Sequence, residues 1–229
     1  MKIVSCLLFP KTLSDADVVP ISETHLRSIS KIAVIDDEPF EHIVSLTNGY
    51  GFSIRQFDDI DSPILMGDRD LIVCDIKDVG KVMNSRDEGY ALIEEIKKHY
   101  PTKPIIIYSS KAFNVKKQKY SKYIDEAVFK GDFDTQEWAN LFDRMLNESM
   151  AFVPGWKRLR LQMLDDGVPV IEVAKVESKL VQFYNKKGRS SSPSFNDLRV
   201  LSEKDALISA LTEFVKVTTK LIKITSGQS

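Results

Sequence analysis

Lys31–Pro39 reads KIAVIDDEP: four apolar residues, then the adjacent acids Asp36 and Asp37, then a proline two positions on. A short apolar run bounded by turn residues reads as a strand, and the acidic pair falls just past its carboxyl end. Three further segments repeat this design. DLIVCDI (70–76) carries Asp75, PIIIYSS (104–110) carries Ser109, and EAVFK (126–130) ends on Lys130. A parallel sheet gathers the carboxyl ends of its strands along one edge, where open α/β folds hold their ligands. Three carboxylates, a hydroxyl and an amine delivered to one edge describe a site for a divalent cation and a phosphoryl group. Hard carboxylate oxygens suit Mg2+, and phosphoryl transfer asks mainly for positioning and charge stabilisation, which a cation and an ammonium provide.

Outward from these marks, Phe52–Phe57 supplies one more strand. Helical spacing of apolar residues predicts helices over Phe40–Thr47, Glu88–His99 and Asp134–Ser149. The first ends at the stop signal Asn48-Gly49, and the last is capped by Asp134 or Thr135. Between 58 and 68 the apolar residues suffice for a single turn. Alternating strands and helices predict an α/β fold: a five-stranded parallel, doubly wound sheet with right-handed crossovers.

With these residues in place, 31–150 resembles the receiver domain of two-component response regulators, a flavodoxin-like fold. Asp36-Asp37, Asp75, Ser109 and Lys130 carry the resemblance, and Gly89 at the start of a helix fits it. The resemblance implies that Asp75 accepts a phosphoryl group from a phosphohistidine or a small acyl phosphate. It implies that Asp37, Asp75 and the main-chain carbonyl of Lys77 hold one Mg2+, with Asp36 acting through a bound water. Lys130 would pair with a phosphoryl oxygen, and the Ser109 hydroxyl would swing in to hydrogen-bond it. A histidine kinase or phosphotransfer protein is the implied partner, and the only chemistry implied is the domain's own phosphotransfer. Three departures stand out. The loop from Asp75 to Gly89 is long and lacks a proline, Gly131 replaces a proline after Lys130, and Ala127 stands where an aromatic reports switching. Lys77 and Lys111 occupy positions that tune hydrolysis, and both are expected to add positive charge near the phosphoryl group.

Each mark also has a bland reading. An acidic pair before a helix often caps it, and a Ser-Ser after a strand is ordinary turn chemistry. Four marks in one order at four strand ends outweigh those readings.

Outside 31–150, residues 1–30 form an extension with a short strand and an irregular segment, and 151–229 form a helical module. The 229-residue chain has a net charge of -1, which gives no overall pull toward nucleic acid or anionic membrane. The charge is uneven: residues 1–150 hold 19 Lys+Arg against 25 Asp+Glu, and 151–229 hold 13 against 8. Cys6 and Cys74 imply no disulfide framework, no apolar run is long enough to span a membrane, and the start carries no signal-peptide pattern. A cytoplasmic protein is expected. In the tail, Val173, Val176, Leu180 and Phe183 form one stripe, and Leu207, Leu211, Phe214, Thr218 and Leu221 form another behind a Ser202/Asp205 capping box. Two such helices predict a hairpin whose apolar stripes close on a second copy, on the receiver-like part itself or on a protein partner. Three readings follow: a phosphorylated regulator whose tail dimerises or binds a partner; a non-phosphorylated pseudo-receiver; and a DNA-binding regulator using Lys186, Lys187, Arg189, Lys216, Lys220 and Lys223, which is not favoured.

Overall fold

The computed structural model describes residues 22–83, 87–110, 115–150, 152–187 and 193–198, together with 208, 211, 212, 215 and 219. Its contacts divide the chain into two compact units, Ile21–Ser149 and one that holds Met150–Ser229.

In the first unit, five short strands form one parallel sheet: β1 (Lys31–Ile35), β2 (Ser53–Phe57), β3 (Leu71–Asp75), β4 (Ile105–Ser109) and β5 (Glu126–Phe129). Their order is β2-β1-β3-β4-β5. Every residue of β3 and β4 is buried, because a central parallel strand is covered on both faces and reads as a continuous apolar run. The helices are α1 (Glu23–Ile29), α2 (Ile43–Tyr50), α3 (Gly89–His99) and α4 (Thr135–Met150). Ala33, Ile35, Ile72, Cys74, Ile105 and Ile107 pack with Leu92, Ile93 and Ile96 of α3. Alternation along each strand sends their neighbours to the opposite face, where Phe52 meets Phe142 of α4 edge-on.

Three elements differ from the sequence patterning. Glu23–Ile29 is helical within the stretch expected to be irregular. Arg27 explains its seat: its guanidinium hydrogen-bonds Asp143 of α4 through both ends and lies 5.0 Å from the Phe52 ring centroid. Helix α2 runs through Asn48-Gly49 and stops at Gly51, whose φ of 78° supplies the left-handed turn. The fourth crossover, Val115–Tyr123, is a 3-10 helix rich in lysine. Helix α4 begins with a reciprocal cap, in which Asp134 accepts from the Glu137 amide at 2.8 Å and Glu137 accepts from the Asp134 amide at 2.7 Å.

The second unit holds α5 (Phe152–Asp165), α6 (Val170–Lys187) and α7 (Phe195–Leu198). Val173, Val176 and Leu180 of α6 pack with Trp156, Leu159 and Met163 of α5. Gly167, at φ 75°, closes α5. The Val168 amide reaches the Met163 carbonyl and the Gly167 amide the Leu164 carbonyl, while the Val168 and Met163 side chains join the same core. Of the last predicted helix, residues 208, 211, 212, 215 and 219 are described and helical, and Leu211 is buried in this core; the Ser202/Asp205 box, Arg189, Lys216, Lys220 and Lys223 lie outside the described residues. Among the described residues no helix is long and apolar enough to cross a membrane.

Candidate functional site

Strand pairing builds the site. Ile35, Cys74 and Ile107 share one level of the sheet, and Asp75 pairs with Tyr108 at the next. Asp36 continues β1 by one residue, its amide donating to the Phe57 carbonyl at 3.0 Å. Asp36, Asp75 and Tyr108 therefore lie in one row at the carboxyl edge. Lys130 enters two residues beyond Val128, the β5 partner of Tyr108.

The Lys130 ammonium lies 2.7 Å from Asp75 Oδ2 and 3.0 Å from Asp36 Oδ2, so it bridges the two carboxylates. Asp75 Oδ1 accepts from the Ile76 amide at 2.6 Å and the Lys77 amide at 3.3 Å. Asp36 Oδ1 accepts from the Glu38 amide at 2.9 Å, and its Oδ2 also accepts from the Tyr108 hydroxyl. Asp37 is exposed, yet Asp36, Asp37 and Asp75 each offer an oxygen within 4.8 Å of the others. Ser109 ends β4 and is buried, and its carbonyl accepts from the Lys130 amide at 2.8 Å. The pairing Ser109 to Phe129 makes the last rung before Lys130 leaves the sheet.

Burial raises the Asp75 carboxyl above its ordinary value, and the Lys130 hydrogen bond opposes that shift without cancelling it. Burial also works against the Lys130 ammonium, but hydrogen bonds to Asp75 and Asp36 outweigh it and leave its pKa raised. The amine is therefore held as a cation. Burial first, then the bond to Asp36, pushes the Tyr108 phenol far up, so it remains a donor.

Several supporting residues carry no motif in the sequence. Gln56 on β2 donates to the Asp36 carbonyl at 3.0 Å and the Glu38 carbonyl at 2.7 Å, and accepts from the Phe40 amide at 3.0 Å. It fixes the loop that carries both acids. Asp59 accepts from the amides of Ile60, Gly80 and Val82, so it clasps the long loop after Asp75. Gly89 lets α3 close on that loop: a Cβ there would meet the Asp75 carbonyl oxygen at 2.3 Å. Tyr108 sits inside an apolar run, and its one signal was a hydroxyl-bearing ring at the same strand level as Asp75.

Lys77, expected to add charge beside the phosphoryl position, places its ammonium 2.7 Å from Asp78 and within electrostatic reach of Glu38 and Asp37. Asp78 has φ 63° and also pairs with Lys81. The hydrogen bonds from Lys77 and then Lys81 hold the Asp78 carboxyl down at about 2. Lys111 lies outside the described residues. The peptide after Lys130 is trans, and Gly131 takes φ 89°.

No family model matches the chain, and no curated protein matches it. Among solved structures it is similar to NtrX from Brucella abortus, at 27% identity over 52% of this chain and 27% of that one, with TM-score 0.40. It is also similar to a CheY-like response regulator receiver domain protein from Methanospirillum hungatei, at 17% identity over 53% of this chain and 97% of that one, TM-score 0.42. A signal receiver domain of an HD domain-containing protein from Pseudomonas fluorescens matches at 14% identity over 58% and 94%, TM-score 0.43. The chain spans about a quarter of the length of the NtrX protein it matches, and the likeness to receiver domains covers about half of this chain.

Proposed function

We propose that this chain is an atypical response regulator whose receiver-like part, within 31–150, is phosphorylated on Asp75. The observation that carries the reading is the row itself: Asp36 and Asp75 on neighbouring strand ends, bridged by Lys130 at 3.0 and 2.7 Å. Asp37, Asp75 and the Lys77 carbonyl would hold Mg2+, with Asp36 beside it through water. The three carboxylate donors within 4.8 Å suit a hard cation. When bound, Mg2+ would offset charge on the transferring phosphoryl group.

The chain's own residues do the rest. Two main-chain amides fix Asp75 Oδ1 and orient the carboxylate as a nucleophile. It attacks the phosphorus of a phosphohistidine or small acyl phosphate, an acyl–phosphate bond forms, and the donor's bond to phosphorus breaks. Lys130 then exchanges Asp75 for a phosphoryl oxygen, and the Ser109 hydroxyl hydrogen-bonds another. Phosphorylation places about 1.5 to 2 negative charges on the phosphoryl group while consuming the single charge of the Asp75 carboxylate, at an edge already crowded with carboxylates. The partner supplying phosphate would be a histidine kinase or phosphotransfer protein in the cytoplasm. The helical part, 151–229, would mediate dimerisation or protein-partner binding, a reading supported by the exposure of Val170 and Ile171 at the start of α6.

One observation favours the pseudo-receiver alternative: the Lys130 ammonium already pairs with both buried acids. Intact-mass measurement after incubation with acetyl phosphate and Mg2+ separates the two. A gain of one phosphoryl group, absent with EDTA and in Asp75→Asn, supports the regulator. An unchanged mass under all conditions leaves the pseudo-receiver.

A further inference from the structure

Asp36 is 1% exposed, and its Oδ2 accepts two donors, the Lys130 ammonium and the Tyr108 hydroxyl. The two donors differ in kind. Lys130 is shared with Asp75 and, in the reading above, is drawn to the phosphoryl oxygens once Asp75 is modified. The Tyr108 hydroxyl donates to Asp36, and its ring lies 4.8 Å from the Lys130 ammonium. Its ring is 3% exposed and is held edge-on by Phe40, centroids 5.7 Å apart at 79°, and by Trp138, 5.9 Å apart at 87°. Phe40 and Trp138 are themselves buried and packed edge-on, 5.2 Å apart. A phenol clamped in this way has little freedom left to lose, so its hydroxyl marks a fixed point in the site.

We propose that Tyr108 is a positioning residue for a divalent cation, its hydroxyl holding the Asp36 carboxylate in the orientation the ion's hydration shell requires. This rests on the cation reading proposed above. Partners that orient a ligand from behind contribute strongly to metal affinity, because a carboxylate free to rotate must be ordered when the ion arrives.

The test is a Mn2+ titration of the full chain followed by electron paramagnetic resonance, which counts free ion directly. Tyr108→Phe keeps the ring and removes only the donor, and it should weaken Mn2+ binding about tenfold, whereas Phe52→Leu, which disturbs the packing of α4 on the sheet at a ring outside the Tyr108 clamp, should stay within about twofold of the parent. Circular dichroism melts of both variants confirm that the fold is intact. Tyr108→Phe within twofold of the parent overturns the proposal, and so does an equal loss in both variants, because packing would then explain it. If the parent chain binds no Mn2+, the cation reading itself fails and this inference with it. Binding by the parent with no effect of Tyr108→Phe sinks the inference alone.

Discussion

The two units bury different chemistry. Among the described residues, the buried charged, serine and threonine side chains all belong to the sheet unit: Ser30, Asp36, Asp75, Lys97, Thr102, Ser109 and Asp143. The core of the helical unit is a cluster of hydrophobic side chains running from Trp156 to Leu211. Buried charge is tolerated only when paired and hydrogen-bonded, and the sheet unit supplies those partners in two ways. Lys97 meets Asp125 at 2.7 Å and the Lys103 carbonyl at 2.7 Å, at the amino edge of the sheet, where it ties α3 to β5. Lys130 meets two acids at the carboxyl edge, beside a third that is exposed. The first cluster is complete in itself. The second concentrates more carboxylates than its one amine neutralises.

That contrast can be broken at either end. Leu180→Ala in the helical core should cost about 3 to 4 kcal/mol through lost burial and an unfilled cavity. Urea unfolding followed by helical ellipticity reads the loss, and Mn2+ affinity should not move; a parallel fall in affinity would show that the two units do not divide the work. Lys130→Met strands two buried carboxylates and should cost about 3 kcal/mol, the lower end for a broken buried pair because Lys130 is partly exposed. Mg2+ should restore part of that loss, and an identical midpoint with and without Mg2+ would contradict a cation site. Asp59→Ala frees three amides of the loop after Asp75 and should cost about 1 to 2 kcal/mol, with faster hydrogen exchange at Gly80 and Val82 as its local signature.

The smallest effect concerns pH. Burial raises the folded-state pKa of Asp75, so this group favours the native state most below its unfolded value and progressively less as pH rises through the folded value. Asp75→Asn should therefore flatten the decline of stability above about pH 4 in metal-free buffer, where an ordinary aspartate titrates. Equal slopes for parent and variant would show that burial is not the governing cause.

Much of the sheet was legible because its signals are local. Leu71–Asp75 and Glu126–Phe129 form strands at the positions their apolar runs predict, and the Asp134 cap could be read from spacing alone. Other features were invisible for equally physical reasons. Helix α1 is a seven-residue helix that no isolated peptide would hold; it exists because Arg27 finds Asp143, 116 residues away. Helix α2 outruns its Asn-Gly stop because Gly51 offers a better left-handed terminus. The ion pair of Lys77 with Asp78 carried no signal in the sequence beyond their adjacency.

The order of residues alone determined that this half of the chain alternates strand and helix, and which chemical groups stand at the strand ends. Period and turn chemistry act over a few residues, so they survive in the one-dimensional record. Only the tertiary structure decided which of those groups touch. Strand register set Tyr108 beside Asp36 and put Lys130 between two acids, and register depends on pairings between segments dozens of residues apart, which no local pattern encodes.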